Sequence, residues 1–413
     1  MNPERMPTSA SLAVFLLLTL TPRHAHAQCL SAHDDLTGLQ TYHDISGMVS
    51  FAFDLFRELL ERTPTEGNLF FSPYSVWNGL VLAYLGAEGK TRQEMEEVMG
   101  VREKVSTLKT LWLLEKTYQS RQIKNSFNTF VLANRVFVDA RVPLSACAAD
   151  ILKDHIQVVN FLKYHDATNM INKYTFETTR GLISNVVNER EIYQAIMVMV
   201  NVAAFKGLWR HQFRLNDTYL GNFYVTPENY VQVPMMKQEG QFRNGMSRDL
   251  GARVLELPYA EGPFTMYIFL PTGDVKDLLS RLNPTSFRSA ITNMWHHQVT
   301  IHLPRFTLRS SIKGDLKLAL YKLGIRDLFS ESADLTSLAP RGSLVVSRTF
   351  HQAALQVTEE GTEAAAATVF VSLSRTKPPP PSTFACDRPF VFVIYDSQTG
   401  NFVFVGAFRN PAF

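Results

Sequence analysis

The sequence predicts a single α+β domain. Helical spacing of apolar residues is concentrated before residue 182, strand alternation dominates from residue 196 onward, and no Pro/Ser/Gly-rich linker or internal repeat divides the chain. Length alone would allow two or three domains, but 413 residues with 46% hydrophobic side chains are enough for one large core.

The N-terminus reads as a processing segment. Arg5, offset by Glu4, precedes a short apolar run at 12–20, and Ala25-His26-Ala27 supplies a small-x-small cleavage pattern. A signal peptide over 1–27 and a mature chain over 28–413, starting at Gln28, are expected. The run is too short to span a bilayer. No other stretch approaches that length, so a secreted, soluble protein with no membrane partner is expected. A net charge of +3, with the basic residues scattered among nearly as many acids, does not suggest nucleic acid. Cys29, Cys147 and Cys386 match no metal spacing and cannot all pair. A Cys29–Cys147 bridge is conceivable, but mostly unpaired thiols are expected. Asn216-Asp217-Thr218 is a glycosylation sequon, whereas Asn283 is followed by Pro284.

The elements follow in order. Ser46 is placed to cap a helix with Val49, Phe53, Phe56 and Leu60 on one face, ended by Pro64. A short strand at 68–71 leads to Ser72, a cap for a second helix with Pro73 in its first turn. Tyr74, Trp77, Val81 and Tyr84 recur at helical spacing before Gly86. Thr91-x-x-Glu94 reads as a capping box opening a third helix. Residues 102–124 and 169–182 read as helices, and 129–139 as a strand. Strands are then expected at 196–205, 222–226, 231–238, 253–258, 264–270, 298–308 and 343–357. Two apolar runs, 391–395 and 402–408, flank the turn Ser397-Gln398-Thr399-Gly400 and suggest a hairpin buried on both faces.

The stretch 359–376 stands apart. Leu355 and Val357 alternate with Gln356 and Thr358, and Gly361 permits a turn. Beyond it Thr362, Ala364, Ala366 and Thr368 share one face at period two, with Glu363 on the other. That reads either as a strand whose inner face carries only small side chains, able to enter between existing strands without a clash, or as a solvated loop with an alanine-rich linker. Residues 378–381, all proline, form a stiff extended stalk.

Val357-x-Glu359-Glu360-Gly361-Thr362-x-Ala364-Ala365-Ala366-Ala367-Thr368 resembles the hinge of an inhibitory serpin, and Phe384-Ala385-Cys386-Asp387-Arg388-Pro389-Phe390-Val391-Phe392 is similar to the family's segment after the reactive loop. Asn201-Val202-Ala203-Ala204-Phe205-Lys206-Gly207-Leu208-Trp209, Val233-Pro234-Met235-Met236, Leu255-Glu256-Leu257-Pro258-Tyr259, Leu303-Pro304-Arg305-Phe306 and Leu323-Gly324-Ile325 extend the resemblance from about residue 45 to the C-terminus. It implies a fold of three β-sheets and eight or nine helices with an exposed reactive-centre loop at about 359–384. It implies a hinge at Glu359, Glu360, Gly361, Thr362, Glu363, Ala364, Ala365, Ala366 and Ala367. It also implies sheet-opening control by Ser72, Ser75, Asn201 and His351, with Trp209 near the point where insertion begins. The family's spacing places the reactive bond at Arg375-Thr376, and a guanidinium suits the acidic primary pocket of a trypsin-like serine protease. Lys377 is the rival, but Pro378 follows it. The implied partner is such a protease, held as a covalent acyl complex by a monomeric inhibitor. Gln352 replaces a more usual lysine and Tyr174 a common tryptophan; neither touches the hinge.

Other readings are weaker. There is no Gly-x-Ser-x-Gly elbow, His-Glu-x-x-His or P-loop, so no enzyme is expected. His296 and His302 could share a strand face, with His297 beside them, but polar positions on an amphipathic strand explain them better than a metal, and none is expected. A carrier remains the alternative to an inhibitor; a charge or proline on the hinge's inner face would favour it, and neither is present. Lys109, Lys116, Arg121 and Lys124 lie on or near a helix that some serpins use for heparin, so a glycosaminoglycan cofactor is considered, although Glu103 and Glu115 interrupt the positive field and a solvated helix face is the ordinary reading.

Overall fold

Pro64 disfavours helical geometry in the residue before it, and α1 (Ser46–Arg62) stops there, with Thr63 extended and its N–H returning to the Leu60 carbonyl. In the computed structural model, which describes residues 45–124, 128–340, 344–360 and 382–412, α1 buries Phe53, Phe56 and Leu60 on the expected face, with Val49 half-buried, and also Phe51, Leu55 and Leu59 around it. Ile45, not Ser46, holds its N-cap position, with no side-chain cap. After β1 (Leu69–Phe71) comes α2 (Pro73–Tyr84), buried on every side. Ser72 caps it by accepting the Ser75 N–H, and Pro73 occupies the first turn, where a missing amide costs nothing.

α3 (Gly89–Met99), α4 (Lys104–Lys124), β2 (Asn128–Asp139), α5 (Ala146–Ile151), β3 (Ile156–Val159), α6 (Tyr164–Thr178) and α7 (Glu189–Ile192) follow. The expected Thr91/Glu94 capping box does not form. Contacts from further along the chain claim both side chains: Thr91 Oγ1 accepts the Asp334 N–H at 2.9 Å, and Glu94 Oε2 accepts those of Arg326 and Asp327 at 2.8 Å. α6 starts five residues before the expected 169 and ends before Arg180 and Gly181, both at positive φ. The real capping box is at α7, between Asn188 and Glu191.

The second half is β4 (Met197–Gly207), β5 (Tyr219–Thr226), β6 (Asn229–Ser247), β7 (Ala252–Pro258), β8 (Phe264–Pro271), α8 (Val275–Arg281), α9 (Pro284–Thr292), β9 (Trp295–Pro304), β10 (Phe306–Ile312), α10 (Gly314–Leu323), β11 (Val346–Val357), β12 (Ser382–Ala385), β13 (Phe390–Asp396) and β14 (Asn401–Phe408). One sheet has the order β10-β11-β4-β2-β3. The other runs β1-β14-β13-β8-β7-β6-β9-β12 with β5 on β6. β6 runs well beyond the expected 231–238 because it pairs with β5 and β9 over most of its length and with β7 at its end. It thereby joins two of the three expected sheets into one hydrogen-bonded network. The expected strand at 298–308 is two strands: Pro304 cannot donate to a ladder, Arg305 donates to the Pro234 carbonyl, and the chain passes from one sheet to the other. Ten α-helices occur among the described residues, two of them, α5 and α7, of six and four residues.

β4 is buried on both faces, which explains why its sequence hardly alternates. Met197, Met199, Ala203 and Phe205 join the main core between the sheets, which also holds α2. Val198, Val200, Val202 and Ala204 join a second core beneath Ala167 and Ile171 of α6. Cys147 of α5 is disulfide-bonded, against the expectation of mostly unpaired thiols, whereas Cys386 is a buried free thiol. Cysteine spacing alone carried no sign of that pairing.

Candidate functional site

A polar row crosses the five-stranded sheet on the face turned to α2. Register places Asn134 of β2 opposite Asn201 of β4, and Asn201 opposite His351 of β11. All three are buried among apolar neighbours. Parity alone dictates this, since each replaces an apolar residue on an inward-facing position. The N-terminus of α2 closes on the row. The Ser72 N–H donates to His351 Nε2 at 3.0 Å, Ser72 Oγ donates to the Val403 carbonyl at 2.6 Å, and Ser75 Oγ donates to Asn134 Oδ1 at 2.7 Å. Gly79 lets the helix approach this closely: a Cβ there would lie 1.7 Å from Asn201 Oδ1. The structure thus places Ser72, Ser75, Asn201 and His351 in one cluster, and adds Asn134, which sat unremarked in an alternating strand.

Burial pushes the His351 imidazole down to about 3, opposed by contact with the Asn201 backbone. It is neutral in the folded protein, and acceptance at Nε2 puts its proton on Nδ1. His351 Nδ1, Asn201 Oδ1 and Asn134 Nδ2 are buried without hydrogen-bond partners among the described residues. Asn201 Oδ1 and His351 Nδ1 lie on the two sides of the boundary between β4 and β11, and Asn134 Nδ2 on β2 beside them.

That boundary is a parallel seam in a sheet that also contains antiparallel pairs. β11 and β4 run side by side from Val346 opposite Met197 to Leu355 opposite Phe205. A strand that continued from β11 and doubled back between them would run antiparallel to both neighbours, and antiparallel ladders are slightly the more stable.

The chain leaves β11 at Val357 into a fixed anchor. Trp209 Nε1 donates to the Thr358 carbonyl at 2.9 Å and the Trp209 N–H to the Glu360 carbonyl at 3.1 Å. The Phe213 N–H donates to the Glu359 carbonyl at 2.9 Å. The Glu359 carboxylate, 5% exposed as a residue, accepts from Thr218 Oγ1 at 2.8 Å and lies 3.6 Å from the Arg305 guanidinium. Trp209 itself is stacked on Tyr259, with ring centroids 4.4 Å apart. Of the expected hinge, Glu359 and Glu360 are therefore placed, and Trp209 stands at its root. Gly361, Thr362, Glu363, Ala364, Ala365, Ala366 and Ala367 lie outside the described residues, as do Arg375 and Thr376. Thr218, Phe213 and Arg305 were not picked out from sequence; Arg305 lay within a quoted motif with no sign of its partner.

The remaining sites separate. Asn216 is exposed on a short turn, Leu215–Asp217, two residues before the threonine that holds Glu359. Arg121 turns inward: its Nη1 donates to the fully buried Asp396 carboxylate at 2.7 Å, so it is not a free surface cation beside Lys109 and Lys116. Lys124 ends the same helix, and its side chain lies outside the description. His302 Nδ1 is bonded to the Tyr219 hydroxyl at 2.8 Å, while His296 and His297 are exposed near the far end of β9. Among the described residues no group of three His, Cys, Asp or Glu side chains is placed to hold a metal. Tyr174 lies under the Arg135 guanidinium at 4.0 Å, and Gln352 Nε2 donates to Ser311 Oγ at 3.3 Å.

Comparison with known proteins gives this geometry its setting. The family model described as serpin (serine protease inhibitor) matches residues 46–411. Serine protease inhibitor 88Ea of Drosophila melanogaster is 30% identical over 391 residues, covering 88% of this chain and 90% of that one. The plasma serine protease inhibitor of Bos taurus is 32% identical over 377 residues, covering 88% and 90%. The solved structure of human thyroxine-binding globulin complexed with thyroxine superposes with a TM-score of 0.79 at 25% identity, covering 90% of this chain and 99% of that one.

Proposed function

Because the chain belongs to the serpin family, we propose that it is a secreted suicide-substrate inhibitor of trypsin-like serine proteases, cleaved at the Arg375-Thr376 bond. The protease serine adds to the Arg375 carbonyl, the Thr376 amine leaves, and an ester joins Arg375 to the enzyme. The freed strand then enters the seam between β4 and β11, carrying the protease with it before water can hydrolyse the ester. The observation that carries the reading is the seam itself. A parallel pair, crossed by a buried polar row, ends at β11, and the sequence that follows it alternates Thr362, Ala364, Ala366 and Thr368, all small, as an entering strand would require.

Export is supported by the processing pattern over 1–27 and by the disulfide at Cys147, since disulfides persist mainly in oxidising compartments. A glycan on exposed Asn216 belongs to the same reading. A second reading, a carrier, has in its favour the likeness to thyroxine-binding globulin. One incubation with a panel of trypsin-like proteases separates the two. The inhibitor gives a complex that survives a denaturing gel, and the released C-terminal fragment begins at Thr376. Cleavage without complex supports the carrier; a fragment beginning at Pro378 moves the reactive residue to Lys377.

A further inference from the structure

A groove of about 620 Å³ opens between α4, α5 and the segment 336–340. Its walls are largely apolar, from Leu85, Ala148, Ile151, Leu152, Leu338 and Pro340, and one rim is the Glu88–Lys104 ion pair at 2.6 Å. We propose that the mature N-terminal segment, residues 30–44, docks in this groove, fastened there by a bridge between Cys29 and Cys147.

The covalent part follows from counting. The chain has three cysteines; Cys386 is a free thiol and Cys147 is disulfide-bonded, which leaves Cys29 as the partner within one molecule. Cys147 lines the groove, so the bridge delivers the start of the segment to it. The other end is tied to the chain just before the groove's rim. The described chain begins at Ile45, and Gly47 is pressed against Gly100 so closely that a Cβ on it would lie 2.2 Å from the Gly100 carbonyl oxygen. Four residues on, Lys104 forms the rim. From Cys29 to Ile45 is about 16 residues, with a reach of up to roughly 55 Å. Length therefore imposes no strain, and the bridge at Cys147 sets the segment's starting point within the groove. Its composition fits: Leu30, Leu36, Leu39 and Tyr42 offer apolar side chains to the walls, while His33, Asp34 and Asp35 suit the solvent side.

The test uses the full mature chain. Non-reducing peptide mapping should link the Cys29 and Cys147 peptides, with Cys386 alkylated only after denaturation. Hydrogen exchange should then show amides of 148–152 and 336–340 exchanging at least tenfold more slowly than in the Cys29→Ser/Cys147→Ser protein. A second variant, Leu36→Asp/Leu39→Asp, keeps both cysteines. It should retain the bridge yet lose the protection, which separates docking from tethering. A Cys147 bridge to a second copy, or exchange at the groove that neither variant alters, overturns the proposal.

Discussion

His351 stands directly opposite Asn201 across the seam between β11 and β4, and only the Ser72 N–H, 3.0 Å from Nε2, bonds its ring among the described side-chain and backbone donors. The pair lies on the line along which the sheet would part in the proposed insertion, and its chemistry makes that line sensitive to acid.

His351 titrates at about 3 in the folded protein, against about 6.5 in an unfolded chain. The unfolded state therefore takes up the proton first. The stabilisation is complete above about pH 6.5 and is lost as pH falls from there toward 3, at up to about 1.4 kcal/mol per pH unit. Melting curves at pH 7 and pH 5 should show the parent losing several degrees more than His351→Gln. Parallel losses in the two proteins would remove His351 from the account.

Gly79→Ala should lower the melting temperature by several degrees, because the new methyl occupies the position of the Asn201 amide oxygen. Overpacking of this kind costs about 1–3 kcal/mol. Shortening the neighbour makes room, so Gly79→Ala/Asn201→Ala should be more stable than the sum of the two single changes. Strict additivity in a double-mutant cycle would show that the helix, and not Asn201, absorbs the clash.

Thr362→Arg places a cation on the inward face of the entering strand. Burial of an unpaired charge is costly enough to stall insertion, and the acyl-enzyme is then hydrolysed. Titration against trypsin should show complex disappearing while cleavage continues. Unchanged inhibition stoichiometry would refute the role given to the small inner face.

Protein nicked at Arg375-Thr376 with both fragments retained should melt tens of degrees above the intact form. Each inserted residue gains ladder bonds on both sides, worth about 1 kcal/mol net apiece, in a seam that is parallel before insertion. An unchanged melting temperature identifies a loop that stays outside the sheet.

Much of this was legible in the sequence because strand parity and local caps are short-range. Ser72 caps α2 as its position suggests, and the spacing of His351 from Ala353, Leu355 and Val357 placed it inward. What could not be read depended on partners far along the chain. Thr91 and Glu94 carry a capping pattern, yet residues 326–334 take both side chains. Arg121 has the spacing of a surface cation and is drawn inward by Asp396, 275 residues away. Glu359 is part of the hinge pattern, but nothing local shows that Thr218 and Arg305 hold it.

The loop's two ends belong to different sheets: β11 lies within the five-stranded sheet, while β12 edges the nine-stranded one and leads into β13 and β14, sandwiched between β1 and β8. Every side chain of β14, and all but one of β13, is buried. A cut anywhere in 361–381 therefore yields a noncovalent heterodimer whose smaller member cannot leave without dismantling the core. Size-exclusion chromatography is blind to the cut, and only denaturation separates the pieces. If the freed segment inserts as proposed, the two pieces expressed as separate chains should reassemble directly into the inserted form, never passing through the intact one.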